Sequence, residues 1–364
     1  MSVTVTQEMR LTGRRPGLRA ARSRIEASEV ASRLAAGTFW SITGAMISRG
    51  LMLLATIVVA RMLGKAVYGE FGVIRSTVDM FVVFAGFGLG LTATKHVAEF
   101  RRNDPERAGR IIALSWLVAA TTGGLMALTL FLLAPWLAER TIDAPHLTGV
   151  LQVGALCLFL NALNGAQTGV LAGFEAFRTV AWVNLVVGLI SFPILVGGAY
   201  YGGLIGTVWA MAANLAINWL LNHLALRKEA RRCQVPLSFT HCLCELSVLW
   251  RFSLPAVLAG TMVGPVRWVC NAMLANQPHG YDELGVFSAA LVFQQLTLSA
   301  GEMLNAPLLS TLSNVGTRSS EKLQVANILS SWILGVAVAI PLLCFPEIAQ
   351  RLFGADFSTR GFTL

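Results

Sequence analysis

The sequence predicts an all-α, polytopic membrane protein, and three observations carry that prediction. Of 364 residues, 55% are apolar and only 13% charged, about half the charged share of an ordinary soluble domain. The apolar residues gather in runs long enough to cross a hydrocarbon core of roughly 30 Å, which takes about 20 residues of helix. The excess positive charge, +9 overall, falls mostly in the connections on one side of those runs. Such a chain is not a water-soluble enzyme or a disordered protein, and it has no room for a large catalytic domain outside the bilayer. Positive charge placed this way reports membrane topology, not nucleic-acid binding.

Nine helical spans follow from hydrophobic length and polar ends. They cover about 37–60, 70–92, 110–134, 149–171, 177–199, 203–224, 248–275, 285–311 and 325–346. Residues 1–36 read as a basic, disordered cytoplasmic tail. Spans one to six form a first unit over 37–224, residues 225–247 a cytoplasmic connection, and 248–364 a partial second unit. No apolar stretch precedes Leu34, so the tail is not a cleaved signal peptide. Trp40, Trp136 and Trp250 lie near span ends, as an interfacial aromatic belt requires.

Charge counting sets the orientation. The N-terminal side collects seven arginines in the tail, then Lys95, Arg101, Arg102, Arg107 and Arg110, then Arg178, the group Arg227, Lys228, Arg231 and Arg232, and finally Arg318 and Lys322. The opposite side holds Arg61, Lys65, Arg140, Arg351 and Arg360. The asymmetry places the N-terminus in the cytoplasm.

Two hairpins look like copies of one another. Leu63-Gly64 leads to Tyr68-Gly69-Glu70-Phe71-Gly72 after span one, and Tyr281-Asp282-Glu283-Leu284-Gly285-Val286-Phe287 follows span seven. Six spans separate them, the mark of a duplicated six-helix unit related by an axis along the membrane normal. The second unit is then half complete. Phe353-Gly354-Ala355-Asp356-Phe357 reads as the loop before a tenth span, which predicts a truncated chain.

A charge at the bilayer centre costs about 2.5–3.5 kcal/mol on insertion scales, so each buried one demands a reason. Arg49 lies midway along span one, Arg75 and Asp79 one helical turn apart in span two, Arg267 deep in span seven and Glu302 deep in span eight. One reading makes Arg49, Arg75 and Arg267 ligands for an anionic substrate in a wet cavity, because guanidinium forks onto phosphate oxygens and keeps its charge. The other makes them internal ion pairs such as Arg75–Asp79 or Arg267–Glu302, with Asp79 and Glu302 serving ion coupling or structural pairing. Asn161, Asn164 and Gln167 form one polar stripe in span four that either lines the cavity or joins helices. Gly86, Gly90, Gly202 and Gly206 stand at the spacing that lets helices approach closely.

No G-x-x-x-x-G-K-[ST] occurs, and no Ser/His/Asp or paired-carboxylate arrangement is visible. His241, Cys242 and Cys244 lie together without a second pair at zinc-like spacing, so neither a metal nor a cofactor is expected. These absences favour a carrier over an enzyme.

The residues also resemble a known family. Arg49 followed by Ala60-Arg61-Met62-Leu63-Gly64 and Tyr68-Gly69-Glu70-Phe71 looks like the start of the polysaccharide-export flippases of the multidrug/oligosaccharidyl-lipid/polysaccharide exporter superfamily. Lys95-His96-Val97-Ala98-Glu99-Phe100, Gly169-Val170-Leu171-Ala172-Gly173-Phe174-Glu175, Leu284-Gly285-Val286-Phe287-Ser288 and Pro307-Leu308-Leu309-Ser310 fit later spans in order. The resemblance implies two six-helix lobes around a central cavity, here a complete N-lobe and an incomplete C-lobe. It implies an inner-membrane carrier that moves an undecaprenyl-pyrophosphate-linked oligosaccharide outward by alternating access. Lipid-linked oligosaccharide and membrane lipids are the implied partners, with the polysaccharide polymerase and chain-length machinery. It also implies contact between the residue at Arg49 and the pyrophosphate, while a second arginine of the related lipid II flippase falls on Ala55. A multidrug antiporter of the same superfamily and an inactive remnant are the alternatives.

Overall fold

The computed structural model describes residues 16–86, 89–238, 242–246 and 263–312, with scattered positions from 325 to 357. Side chains are described from 46 onward and, in the last long helix, as far as 297. All regular structure among the described residues is helical. The long helices are α1 (Pro16–Gly86), α2 (Leu89–Asn103), α3 (Pro105–Trp136), α4 (Thr148–Gly173), α5 (Phe177–Arg232), α6 (Val263–Ala275) and α7 (Gly280–Leu312). A π-helical turn, Leu137–Thr141, and a short 3-10 turn, Pro145–Leu147, join α3 to α4.

Two of these helices are hairpins. The backbone of Gly64 has φ 74° and ψ 168°, and that of Gly203 φ 53° and ψ −130°, both in a region that a Cβ opposes. At Gly203 the chain doubles back: Ser191 Oγ donates to Asn214 Oδ1 at 2.8 Å, and Gly198 lies so close to Gly206 that a Cβ on either would overlap the other's carbonyl. Four stretches are long and apolar enough to cross a membrane, Met46–Asn103, Pro105–Thr141, Pro145–Gly173 and Phe177–Arg232. With the breaks at Gly64 and Gly203, residues 46–232 make six helical runs.

The first helix begins at Pro16, whose missing N–H costs nothing at a helix start. The Ala-, Arg- and Glu-rich stretch behind it favours helix. Among the described residues this stretch is helical from Pro16 onward.

Helices α1, α3, α4 and α5 bury one apolar core, in which Ile74, Leu130, Leu151 and Leu158 are fully enclosed. A second cluster around Val97, Ile111, Val170 and Leu226 lies at the end richest in arginine. The connection after α5 is tied down there. Arg107 donates to both oxygens of Glu245, at 2.9 and 3.0 Å, and a Cβ on Gly109 would overlap the Pro236 carbonyl.

Helices α6 and α7 pack on α1, and at the Gly64 end the two units interlock. A Cβ on Gly69 would overlap the Tyr281 carbonyl, one on Gly285 the Lys65 carbonyl, and one on Gly72 the Ser288 hydroxyl. Lys65 pairs with Asp282 at 3.2 Å. The π-helical turn ends in carbonyls that a helix cannot satisfy internally; Asn276 Nδ2 donates to the Thr141 carbonyl at 2.7 Å and the Tyr281 hydroxyl to that of Ile142 at 2.6 Å. Arg61 Nε reaches the Leu352 carbonyl at 2.7 Å, and buried Phe353 and Phe357 close around Tyr68. This end is sealed.

Candidate functional site

Below that seal three helices each turn one face toward a common space. The first arm of α1 supplies Arg49, Met52, Leu53 and Thr56, and its second arm Tyr68, Phe71, Gly72, Arg75, Ser76 and Asp79. Helix α6 supplies Arg267 and Asn271, and α7 supplies Ser288, Leu291, Val292 and Gln295. Steps of three and four recur in each set, the spacing of one helical face. The position pairs 49/79, 53/75 and 56/72 are symmetric about Gly64, as antiparallel arms of a hairpin require. The cavity volume is about 270 Å³.

Arg49, Arg75, Asp79 and Arg267 thus meet in one cavity, although they come from three helical runs. Arg267 Nη2 lies 3.5 Å from Asp79 Oδ2, so Asp79 reaches across to α6 and not back one turn to Arg75. Both side chains of this pair are more than a third exposed, at 38% and 39%, and exposed pairs of this kind contribute little to stability. Next to them Trp268 Nε1 donates to Thr77 Oγ1 at 2.9 Å, fixing the register of α6 against α1. The described lining holds three guanidinium groups and the Asp79 carboxylate. A phosphate or diphosphate is the ligand class such forks suit.

The other expected residues lie elsewhere. Asn164 Nδ2 donates to the Leu215 carbonyl at 3.0 Å, and Gln167 hydrogen-bonds the Trp219 indole N–H and carbonyl once its amide is oriented to suit both. Both are buried in the seam between α4 and α5, away from the cavity. Asn161, one turn before Asn164, is partly buried and does not line it either. Glu302 lies on α7, and its side chain falls outside the described residues, as does His241. Cys242 is buried against Leu89 and Leu114 and Cys244 is exposed. His223 stacks on Trp219 and packs at a tilt beside Trp116.

Sequence reading missed Thr56, Tyr68, Ser76, Asn271, Ser288 and Gln295. A signal existed: Asn271 follows Arg267 by four, and Ser288 and Gln295 stand seven apart.

Fold and cavity are those of a helical bundle with stretches long and apolar enough to cross a membrane, built around a charged cavity. The fold is similar to the inward-facing conformation of a multidrug resistance MATE family transporter of the MOP superfamily, with TM-score 0.63 and 16% identity over 89% of this chain and 77% of that one. The outward-facing conformation of such a transporter gives 0.56 and 15% identity over 88% and 77%.

The chain belongs to the polysaccharide biosynthesis protein family, whose sequence profile matches residues 34–312. It is 24% identical over 304 residues to the EPS I polysaccharide export inner membrane protein EpsE of Ralstonia nicotianae, covering 82% of this chain and 68% of that protein. It is 24% identical over 292 residues to the lipid III flippase of Escherichia coli K12, covering 77% and 68%.

Proposed function

We propose that this protein carries an undecaprenyl-pyrophosphate-linked oligosaccharide from the cytoplasmic to the periplasmic leaflet of the inner membrane, by alternating access. The observation that carries the reading is the convergence of Arg49, Arg75 and Arg267 on one cavity beside a single described carboxylate, Asp79. A sugar headgroup cannot cross hydrocarbon alone, because its hydroxyls would lose their water partners. A polar cavity replaces those partners while the polyprenyl chain stays in lipid. With the cytoplasm negative, outward movement of an anionic headgroup is downhill by about 2.3 kcal/mol per charge per 100 mV.

The charge-derived topology puts the sealed Gly64 end at the periplasmic face, so loading is from the cytoplasm. A drug antiporter would carry cations, which a cavity with three arginines repels. The test is replacement of Arg49, Arg75 or Arg267 by alanine in the chromosomal gene. Each variant accumulates in the membrane at normal level, and surface polysaccharide falls at least about tenfold, as expected when a charge-assisted contact is removed. Normal polysaccharide in all three variants would refute the reading.

A further inference from the structure

The arginines explain how a diphosphate is held, but not how the carrier tells one headgroup from another. Beside its charges and an apolar wall that includes Leu53, Phe71 and Leu291, the lining offers neutral polar groups: Thr56, Ser76, Asn271, Ser288 and Gln295. Hydroxyls and amides of this kind suit sugar hydroxyls and acetamido groups. Of these, Asn271 stands apart. It lines the cavity, yet its side chain is almost wholly enclosed, at 3% exposure. Its Oδ1 is shut off from solvent and has no hydrogen-bond partner among the described residues. A buried acceptor left unmet is costly, and few are tolerated without a reason.

Asn271 also sits four residues after Arg267 on α6, a rise of about 6 Å along the helix. That is the scale of the step from a phosphate to the ring of the sugar it carries. The cavity, at about 270 Å³, lies just under the roughly 300 Å³ at which ordinary ligand pockets begin. It has room for the diphosphate and the first ring, and the rest of the glycan extends beyond it.

We propose that Asn271 reads the first sugar: once the arginines hold the diphosphate, its amide turns about the soft χ2 torsion and Oδ1 accepts a hydrogen bond from a hydroxyl or acetamido N–H of that ring. Asn χ2 is broad and nearly two-fold, so the turn needs no backbone change. The inference rests on the diphosphate reading above and adds a specificity determinant to it.

The test measures binding of two probes to the purified chain by native mass spectrometry, undecaprenyl diphosphate and undecaprenyl diphosphate bearing one N-acetylhexosamine. The wild-type chain binds the sugar-bearing lipid more tightly. Asn271→Ala weakens that lipid about fivefold, the effect of one neutral hydrogen bond, and leaves the bare diphosphate lipid unchanged, which shows that the variant is folded. Asn271→Asp keeps an acceptor oxygen and keeps the preference, although its added charge weakens both lipids alike. Equal loss of both probes in Asn271→Ala, no loss of either, or no wild-type preference would overturn the proposal. A separate result, Arg267→Ala and Arg49→Ala binding bare undecaprenyl diphosphate as well as wild type, would overturn the diphosphate reading beneath it.

Discussion

Arg267 and Asp79 stand 188 residues apart in the chain and face each other at 3.5 Å across the boundary between the first helical unit and α6. At this exposure water screens the attraction, and the pair contributes at most about 1 kcal/mol. Its larger effect is on the cavity's field, since Asp79 is the carboxylate that stands beside Arg267 in the described lining. Asp79→Asn is expected to leave thermal stability nearly unchanged and to tighten retention of undecaprenyl diphosphate about fivefold, the effect of roughly 1 kcal/mol of removed repulsion. Titration of the purified variant with that lipid checks it. A weaker hold would instead assign the carboxylate to binding or ion coupling.

The glycine interlock at the Gly64 end makes a second expectation. In Gly285→Ala the new methyl meets the Lys65 carbonyl, which is backbone and cannot swing aside. Overpacking of that kind costs about 1–3 kcal/mol, and under the alternating access proposed above the cost falls on the arrangement described and not on its alternate. A ligand or mutation that penalises one of two states shifts the population toward the other. A cysteine at Gln295, inside the cavity, should therefore react with an impermeant maleimide added from the periplasmic side at least about fivefold faster in the Gly285→Ala background. Unchanged labelling would mean that this contact is not part of a moving seal.

The all-helical fold was legible because bilayer thickness dictates the length of apolar runs and the sequence obeys it. The Gly64 hairpin was legible from its glycine and the aromatic residue that restarts the helix, and the Gly203 break, although no polar hairpin marks it, falls at the boundary read between the spans at 177–199 and 203–224. Arg49, Arg75, Asp79 and Arg267 stood out because each charge is expensive against an apolar background. Their pairing did not, since the four-residue step from Arg75 to Asp79 satisfies helix geometry without saying which neighbour the carboxylate turns to. Asn164 and Gln167 show the same limit: a polar stripe looks alike whether it meets a cavity or the next helix. Asn271, Ser288 and Gln295 carried only a spacing signal, steps of four and seven along one helical face, because a neutral polar group in a helix costs too little to stand out by itself.

The connection between the units carries a third prediction. Glu245 is nearly enclosed, its side chain 11% exposed, and takes both Arg107 nitrogens while Arg110 lies at 3.8 Å. Removing Arg107 leaves that carboxylate short of its two best donors. Because the arginine itself is 35% exposed, the cost is less than for a fully buried pair, about 2 kcal/mol. Arg107→Ala should lower the unfolding midpoint in detergent, and Arg107→Lys should recover only part of it, because an ammonium cannot form the two-pronged contact. Full recovery by lysine would show that charge alone holds the connection.

Two glycines of the α5 hairpin should fail in different ways when replaced by alanine. At Gly203 nothing lies within 4 Å of an added Cβ, so Gly203→Ala costs backbone strain alone, about 1–3 kcal/mol, and the arms stay in place. At Gly206 the backbone is ordinary helix, but the new methyl strikes the Gly198 carbonyl and forces the arms apart. The Ser191–Asn214 hydrogen bond, 2.8 Å between arms, reports the difference. Asn214→Ala should cost about 1 kcal/mol in the wild-type and Gly203→Ala backgrounds, and almost nothing in Gly206→Ala, where the bond is already stretched. A double-mutant cycle on unfolding free energies reads this directly. Equal Asn214→Ala costs in all three backgrounds would mean that the hairpin absorbs the methyl by local adjustment, and that close glycine contact does not hold its arms together.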